Sequence, residues 1–421
     1  MNRLKKIAAV AGLVALIASW PFMVGLIAEK ATIRGINEHQ SDDLTLELLD
    51  YQRGYIHADA KTQVTITQPD LLRLFQRANV PPVLLLEHHI THHALSLEIA
   101  SQFTPDTEKA LAKVFSVSQF KMTLLTDTSI SGKTTFDANI SDMKNDVFSL
   151  QAGQISGYYS HAQWQVAFAA KTLMAQLSNR SLDATRPYMR VQVSEGDKES
   201  DGIHGIDWAL DAQNLIWHDA QRDYQLKQLA LSFVLQPQAS HYDMNVAGQA
   251  AQLDFNDAAR YHTQVTLNLT HLPTDKLKAA VDVITNPPAL WNRKIRRQRQ
   301  TQALNELFAG DWQGQLAAQY SRAPSARAEN HLSLAVSGIS PASSNLFSAF
   351  VQHKGILNLK LNEKDHSQAD WAVLIEHGLL QKQGDYIQGE VRTDISGLSN
   401  AEQRLPWAQF VVEMKTLARQ G

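Results

Sequence analysis

The segment EHHITHHA at residues 87–94 concentrates side chains that could bind a metal: His88, His89, His92 and His93. Imidazole is a common zinc ligand, and on a helix histidines four residues apart would lie one turn apart, at a spacing that metal sites use. The leucines on both sides of the segment instead predict a strand, on which His88 and His92 share one face and the other two histidines share the opposite face. We therefore expect ordinary polar histidines. A histidine-dependent metal hydrolase is the less favoured alternative.

Two further short motifs resemble catalytic signatures but lack the partners that such chemistry needs. SGKTT at 131–135 is similar to a phosphate-binding loop, but Asp127 stands where that loop has its first glycine. SQFK at 118–121 has the Ser–Lys spacing of a nucleophile pair, without the further motifs of those enzymes. We interpret the first as a turn and the second as a chance match. The sequence thus predicts no catalytic residue, no cofactor site, no metal site and no enzyme.

The composition excludes several classes of site. The chain has no cysteine, and therefore no disulfide, no thiolate-bound zinc, no iron–sulfur cluster and no cysteine nucleophile. Its 421 residues carry a net charge of −3 at pH 7, which gives no electrostatic footprint for nucleic acid. With 44% hydrophobic residues, the chain has enough apolar material for a substantial core.

The N-terminus predicts one membrane anchor. An uncharged stretch from Ile7 to Ala28 contains 22 residues, and as a helix it would span roughly 33 Å, enough to cross a bilayer once. A cleaved signal peptide is the alternative, but the bulky residues before Ala18 do not suit a cleavage site. The cations of the first six residues should stay cytoplasmic. We expect a single-pass protein of the inner membrane, with the bulk of the chain in the periplasm of a Gram-negative source.

The remainder of the chain is dominated by apolar residues that alternate with polar ones, the period of a half-buried strand. Gly, Asn, Asp and Ser separate these runs, as hairpin turns require. One apolar and one polar face favour antiparallel pairing. The alternating apolar positions are Leu229 to Leu235, Tyr242 to Val246, Val265 to Leu269, Leu332 to Val336, Leu357 to Leu361, and Trp371, Val373 and Ile375.

Helices interrupt the strands. Pro69 and Thr104-Pro105 mark two helix starts, and later segments at 274–284, 289–308, 341–352 and 401–420 also favour helix. The predicted fold is α+β and β-dominated, with one N-terminal transmembrane helix followed by a large, curved antiparallel β-sheet structure with inserted helices. The predicted divisions are 1–29 for the cytoplasmic N-terminus and anchor, 30–118 for the N-terminal part of the periplasmic region, and 119–421 for the β-rich periplasmic region.

A basic run, RKIRRQR at 293–299, lies close to Trp291. Cations beside an aromatic residue suit an interfacial element that meets anionic headgroups. A solvated helix face is the favoured interpretation, because Glu306 and Asp311 follow and the chain is acidic overall.

The segment DYQRGYIHADAKTQVTI at 50–66 combines a polar turn with an alternating run at Thr62, Val64 and Ile66. Gly54 allows positive φ or a close approach of another backbone. The segment therefore predicts a bent strand pair at the start of the sheet.

This segment resembles the signature of the YdgA-like family of Gram-negative envelope proteins, a domain family of unknown function. The Tyr-x-Arg-Gly-aromatic pattern matches Tyr51, Arg53, Gly54 and Tyr55, although His57-Ala58 departs from the usual serine-rich pair. HHITHHALS at 88–96 is similar to the family's next element, in which His92 falls on a His-x-Ile-x-His pattern, and His93-Ala94 replaces the expected Gly-Pro. The resemblance implies an inner-membrane-anchored periplasmic protein of unestablished activity, in which the matched residues are structural.

We therefore expect a non-enzymatic envelope protein that offers an apolar β groove or interaction surface, with a lipid or another envelope protein as its partner. A structural protein that self-associates through strand edges, forming a homo-oligomer, is the alternative. Every β sandwich also needs an apolar face on each sheet, so the strand pattern leaves open whether this face forms a groove or a closed core.

Overall fold

The computed structural model describes residues 44–417, apart from gaps at 94, 130, 161–162, 178–179, 195–204, 220–221, 239, 256–257, 286–292, 309–311, 325–329, 338–353, 363–367 and 395. The chain divides into two compact units, Met1–Arg190 and Val191–Gly421. The predicted divisions at 29 and 118 stay predictions. The predicted anchor, Ile7 to Ala28, and the predicted helix at 341–352 lie outside the described residues. Among the residues that are described, no helix has the length and hydropathy to cross a membrane.

The first unit is built on antiparallel strands, most of which pair with the next strand in the chain. Strands β1 to β6 pair in order, β6 then pairs with β9, and β9 with β10. A second set joins β7, β8, β11 and β12. The strands are β1 Leu44–Arg53, β2 His57–Ile66, β3 Val83–His92, β4 Ser96–Phe103, β5 Met122–Ser129, β6 Thr134–Ile140, β7 Met143–Lys144, β8 Phe148–Gln151, β9 Gly153–Ser160, β10 Gln163–Ala169, β11 Thr172–Leu177 and β12 Arg180–Thr185.

Strand β13, Tyr188–Ser194, contains the division between the units, and the second unit continues with four strands of 15 or 16 residues. Each strand from β14 to β19 pairs antiparallel with the next, and β20 pairs with β22. Strands β21 and β23 pair with β22, and β24 pairs with β23. The strands are β14 Gly205–Asp219, β15 Arg222–Pro237, β16 His241–Phe255, β17 Ala258–Pro273, β18 Gln313–Ser321, β19 Asn330–Ser337, β20 Lys354–Asn362, β21 Gln381–Gln383, β22 Tyr386–Asp394, β23 Gly397–Ser399 and β24 Arg404–Pro406.

Six helices are described, and the start signals of the first two are confirmed. Both begin at a proline, and in the second the Thr104 hydroxyl accepts a hydrogen bond from the backbone N–H of Thr107, as an N-cap does. The helices are α1 Pro69–Arg77, α2 Pro105–Val114, α3 Thr274–Thr285, α4 Arg293–Leu307, α5 Gln368–Glu376 and α6 Trp407–Leu417. The prediction of a β-dominated fold with antiparallel sheet and inserted helices is confirmed for the described residues.

Helix α5 contradicts one sequence prediction, because Trp371, Val373 and Ile375 lie on a helix and not on a strand. Ala372 and Leu374 are also apolar, so the segment is continuously apolar, and residues three and four apart form one helix face.

The end of α5 is defined by a glycine cap. The N–H of Gly378, at positive φ, donates to the Ile375 carbonyl, and the N–H of Leu379 donates to the Leu374 carbonyl. This is a Schellman motif, which needs a residue such as glycine in the left-handed region.

Helices cover parts of the apolar sheet faces. In the first unit, α1 and α2 contribute Phe75 and Leu111 to a core with strand residues. In the second unit, α3 and α4 pack on the ends of β15 to β17, and α5 and α6 pack on β20 and β22. Each cluster removes apolar side chains from water, at roughly 25 cal/mol per Å² buried.

Candidate functional site

The turn between β1 and β2 explains the glycine of the Tyr-x-Arg-Gly-aromatic signature. The backbone N–H of Gly54 donates to the carbonyl oxygen of His57 at 2.7 Å. A Cβ atom built on Gly54 would also lie 2.7 Å from that oxygen, which is closer than real Cβ contacts come. The turn therefore needs glycine for close backbone approach.

Of the other signature residues near this turn, one is packed in a core and two are exposed. Tyr51 packs against a small core formed by Ala58, Ala60 and Ile90. Arg53 and Tyr55 are exposed at the turn. Tyr51 thus holds the end of the hairpin on the sheet, and the two exposed side chains face solvent.

His92 lies against the same turn. Its backbone N–H donates to the Ile56 carbonyl at 2.8 Å, and its side chain is only 5% exposed. Neither ring nitrogen makes a hydrogen bond of good geometry to any residue that the structure describes. Burial lowers the pKa of His92, the nearby His57 lowers it further, the Tyr55 backbone carbonyl opposes the decrease, and Arg53 adds a small decrease.

The structure thus brings the five signature residues together at one end of the β1–β2 hairpin and β3. Gly54 closes the turn, Tyr51 anchors it, and His92 packs beneath it. Nothing in this group pairs a nucleophile with a base. Its evident contribution is to the shape of the turn.

The remaining histidines of β3 alternate between faces, as the strand prediction requires. His88 lies on the core side, where its two ring nitrogens are 2.7 Å from the hydroxyls of Thr62 and Ser101. Burial lowers the pKa of His88 below its ordinary value. His89, on the opposite face, is 2.9 Å from an Asp59 carboxylate oxygen and stacks on His57, with ring centroids 5.3 Å apart.

The strand geometry argues against a zinc site in this segment. Histidines four residues apart on a strand are separated by about 13 Å, whereas one zinc ion needs its ligands about 2 Å away. Within the described part of the chain, no three His, Asp or Glu side chains are grouped closely enough to hold a metal.

Acidification is expected to destabilise the first unit through these buried histidines. Burial holds the pKa values of His88 and His92 in the folded chain below the ordinary histidine value of 6.5, so the unfolded chain binds more protons below that pH. The stabilisation is complete above about pH 6.5 and is lost as the pH falls through the folded-state pKa values. Thermal unfolding should therefore show a lower Tm near pH 5 than near pH 7.5. The Tm of a His88→Gln variant should fall less between pH 7.5 and pH 5 than the Tm of the parent. An equal fall would mean that His88 is not the source of the acid sensitivity.

The second unit has a continuous apolar sheet face, formed by side chains that are paired across neighbouring strands. The six residues of one such row belong to β15 through β20. In order, they are Phe233, Val246, Leu267, Leu316, Leu334 and Leu357.

The helices cover parts of this face. The cluster under α3–α4 includes Phe233 and Leu267, and the cluster under α5–α6 includes Leu357. Neither cluster includes five other apolar residues of the face, which are half-buried or exposed. We call these five residues the central strip: Val246, Val265, Leu316, Leu332 and Leu334.

The opposite face of the same strands is polar and carries two clefts. The larger has a volume of about 900 Å³, and the amide, cationic and acidic side chains that line it include Gln264, Gln319, His331, Asn358, Lys360 and Glu390. The second, of about 760 Å³, is bordered by side chains that include Asn268, Gln315, Lys354 and Arg392. The sequence analysis assigned the alternate positions to a polar face but identified no cleft, because a cleft depends on which strands become neighbours.

Comparisons with known proteins give a family without an assigned activity. The profile of a family described as "Bacterial protein of unknown function (DUF945)" matches residues 4–383. No curated protein matches the chain. No solved structure matches it either.

Proposed function

This chain belongs to the DUF945 family of bacterial proteins of unknown function, and we propose that it is a non-enzymatic, YdgA-like binding protein of the cell envelope. A single span, Ile7 to Ala28, holds it in the inner membrane with Arg3, Lys5 and Lys6 in the cytoplasm and the bulk of the chain in the periplasm. The apolar length of this span and the cations before it support the proposal.

The ligand we propose is the acyl portion of a lipid, held on the central strip of the second unit. One observation carries this proposal: helices cover parts of the apolar face, whereas the five side chains of the central strip are left partly accessible. An apolar chain laid along the strip would remove this surface from water, at about 0.8 kcal/mol for each CH₂ group that is buried.

Site-specific photocrosslinking in whole cells tests the proposed ligand. A photoreactive phenylalanine analogue replaces Leu334 in the central strip, and phospholipids are labelled with ³²P. We expect a labelled adduct on the full-length chain after illumination, because the probe would contact the bound acyl chain. The measurement is the radioactivity of the protein band.

Strand β19 supplies a matched control, since Ser333 is next to Leu334 but belongs to the polar face. The same analogue at Ser333 should give several-fold less label. Equal labelling at the two positions would mean that the lipid contact is unspecific. A protein adduct at Leu334 without lipid label would instead support the alternative, a partner-binding or self-associating envelope protein.

A further inference from the structure

A strongly basic segment lies in the second unit, outside the central strip. From residue 283 to residue 305 the chain has no acidic side chain, although its overall net charge is −3. The cations of this segment are Arg293, Lys294, Arg296, Arg297 and Arg299. All five fall in the first two turns of α4.

Within the part of the chain that the structure describes, these charges have no acidic partner. Lys294, Arg296, Arg297 and Arg299 are exposed, and among the described residues none of the four forms an ion pair with a carboxylate. Of the four, Arg299 alone donates a hydrogen bond to another described side chain, from Nη1 to Gln302 Oε1 at 3.3 Å. The patch is therefore available to an external anion.

The position of the cations on the helix is unfavourable for the helix itself. The N-terminal end of a helix carries a partial positive charge, so acids stabilise the first turn and bases stabilise the last turn. Helix α4 has no acid in its first turn and no base in its last turn. The stability of α4 therefore does not explain why its cations are at its N-terminal end, whereas binding of an anionic partner does.

The relative direction of α3 and α4 decides which side chains lie beside these cations. Helices α3 and α4 pack together, and Leu277 in the first turn of α3 shares one core with Leu307 at the end of α4. The two helices are therefore antiparallel.

The end of α3 and the start of α4 consequently lie at the same end of this hairpin, which we call the basic hairpin end: Val281 to Thr285 and Lys294 to Arg299. Its one acidic residue is the exposed Asp282, against four exposed cations. Ile284 there is 43% exposed and Ile295 is 40% exposed. Apolar side chains among cations form the pattern of surfaces that insert shallowly into a bilayer interface.

We propose that the basic hairpin end docks on a bilayer surface that carries anionic phospholipid headgroups. Cations are attracted to the negative surface potential of such a membrane, and the exposed isoleucines enter the boundary between headgroups and acyl chains. An acidic protein would match the charge but would leave no reason for two isoleucines among the cations. This inference rests on α3 and α4 alone and does not depend on the ligand proposed for the central strip.

The absence of cysteine from the chain allows a clean test with one reporter. The exposed Gln298 is changed to cysteine, labelled with a polarity-sensitive fluorophore, and the full-length chain is reconstituted with excess vesicles. The probes are vesicles of phosphatidylcholine alone and of phosphatidylcholine mixed with phosphatidylglycerol. We expect a blue shift of the emission only with phosphatidylglycerol, reversed by high salt, because screening weakens the attraction between exposed charges and headgroups.

Charge reversal provides the decisive comparison. Arg296→Glu with Arg297→Glu should weaken the response to phosphatidylglycerol by about 100-fold or more, since each change removes an attraction and adds a repulsion. Lys227→Glu with Lys354→Glu makes the same change of net charge elsewhere in the unit and should leave the response intact.

Three outcomes would overturn the proposal. The first is an emission spectrum that is the same in both vesicle types. The second is an equal effect of the two double variants. The third is a response to soluble polyglutamate without a response to phosphatidylglycerol, which would assign the patch to an acidic protein. A label at the exposed Asp385, placed by Asp385→Cys, should report no shift in any of these conditions.

Discussion

Replacing Ile387 with alanine is expected to lower the free energy of unfolding of the second unit by about 3 kcal/mol. Ile387 lies on β22 and is fully buried, in contact with the core beneath α5 and α6. The substitution removes buried methyl and methylene groups and leaves a cavity that tightly packed neighbours fill only in part. Denaturant unfolding followed by circular dichroism measures the change.

The adjacent strand supplies the same substitution on the other face of the sheet. Ile356 on β20 is 41% exposed and faces the polar cleft lined by Arg392. Ile356→Ala should change the free energy of unfolding by only about 0.5 kcal/mol, because little packing is lost. Similar losses for the two variants would contradict the assignment of faces to these strands.

Replacing Gly54 with valine is expected to destabilise the first unit by about 2 kcal/mol, because the new side chain collides with backbone and not with a movable side-chain end. The His57 carbonyl oxygen that a Cβ atom would strike is the oxygen that accepts the Gly54 N–H hydrogen bond. Relief of the collision therefore breaks the bond that closes the turn. Because His92 packs against this turn, hydrogen exchange at its backbone amide should also become faster.

Gly248, whose nearest neighbour is a flexible side chain and not backbone, controls for the general effect of adding a side chain. A Cβ atom on Gly248 would meet only Leu231 Cδ2, at 3.1 Å, which is the end of a flexible side chain. Gly248→Ala should stay within about 1 kcal/mol of the parent, since glycine within a strand is itself unfavourable. A Gly54 variant as stable as this control would mean that the turn adapts by another route.

The strands were predictable because each carries its own signal. In the run from Leu229 to Leu235 and in the run from Leu357 to Leu361, every second side chain is apolar, and both lie in strands with that face toward a core. Periodicity reports the environment of a residue without any knowledge of its neighbours across the sheet.

Helix α5 was missed because its signal is of a different kind. Alternation at Trp371, Val373 and Ile375 is also compatible with a helix when the intervening residues are apolar. The informative residue was Gly378, whose left-handed conformation ends the helix. A glycine after a short apolar run is a helix-end signal that the strand interpretation did not use.

The candidate sites were predictable only in part. The strand assignment of 88–92 correctly separated His88 from His89, because strand neighbours point to opposite faces. Which part of an apolar face stays accessible depends on where α3, α4, α5 and α6 return to the sheet. That placement is a property of tertiary packing, which no local pattern encodes.

The strands β14 to β17 form a meander with very short connections. Each has 15 or 16 residues, and the residues between them are 220–221, 238–240 and 256–257. Contacts between such partners close small loops, which cost little chain entropy. We expect strand pairing in this part of the chain to begin at the turns and to extend along the strands, with each hairpin adding to the one already formed. It should therefore acquire protection from hydrogen exchange early in refolding, ahead of segments whose partners are distant in sequence.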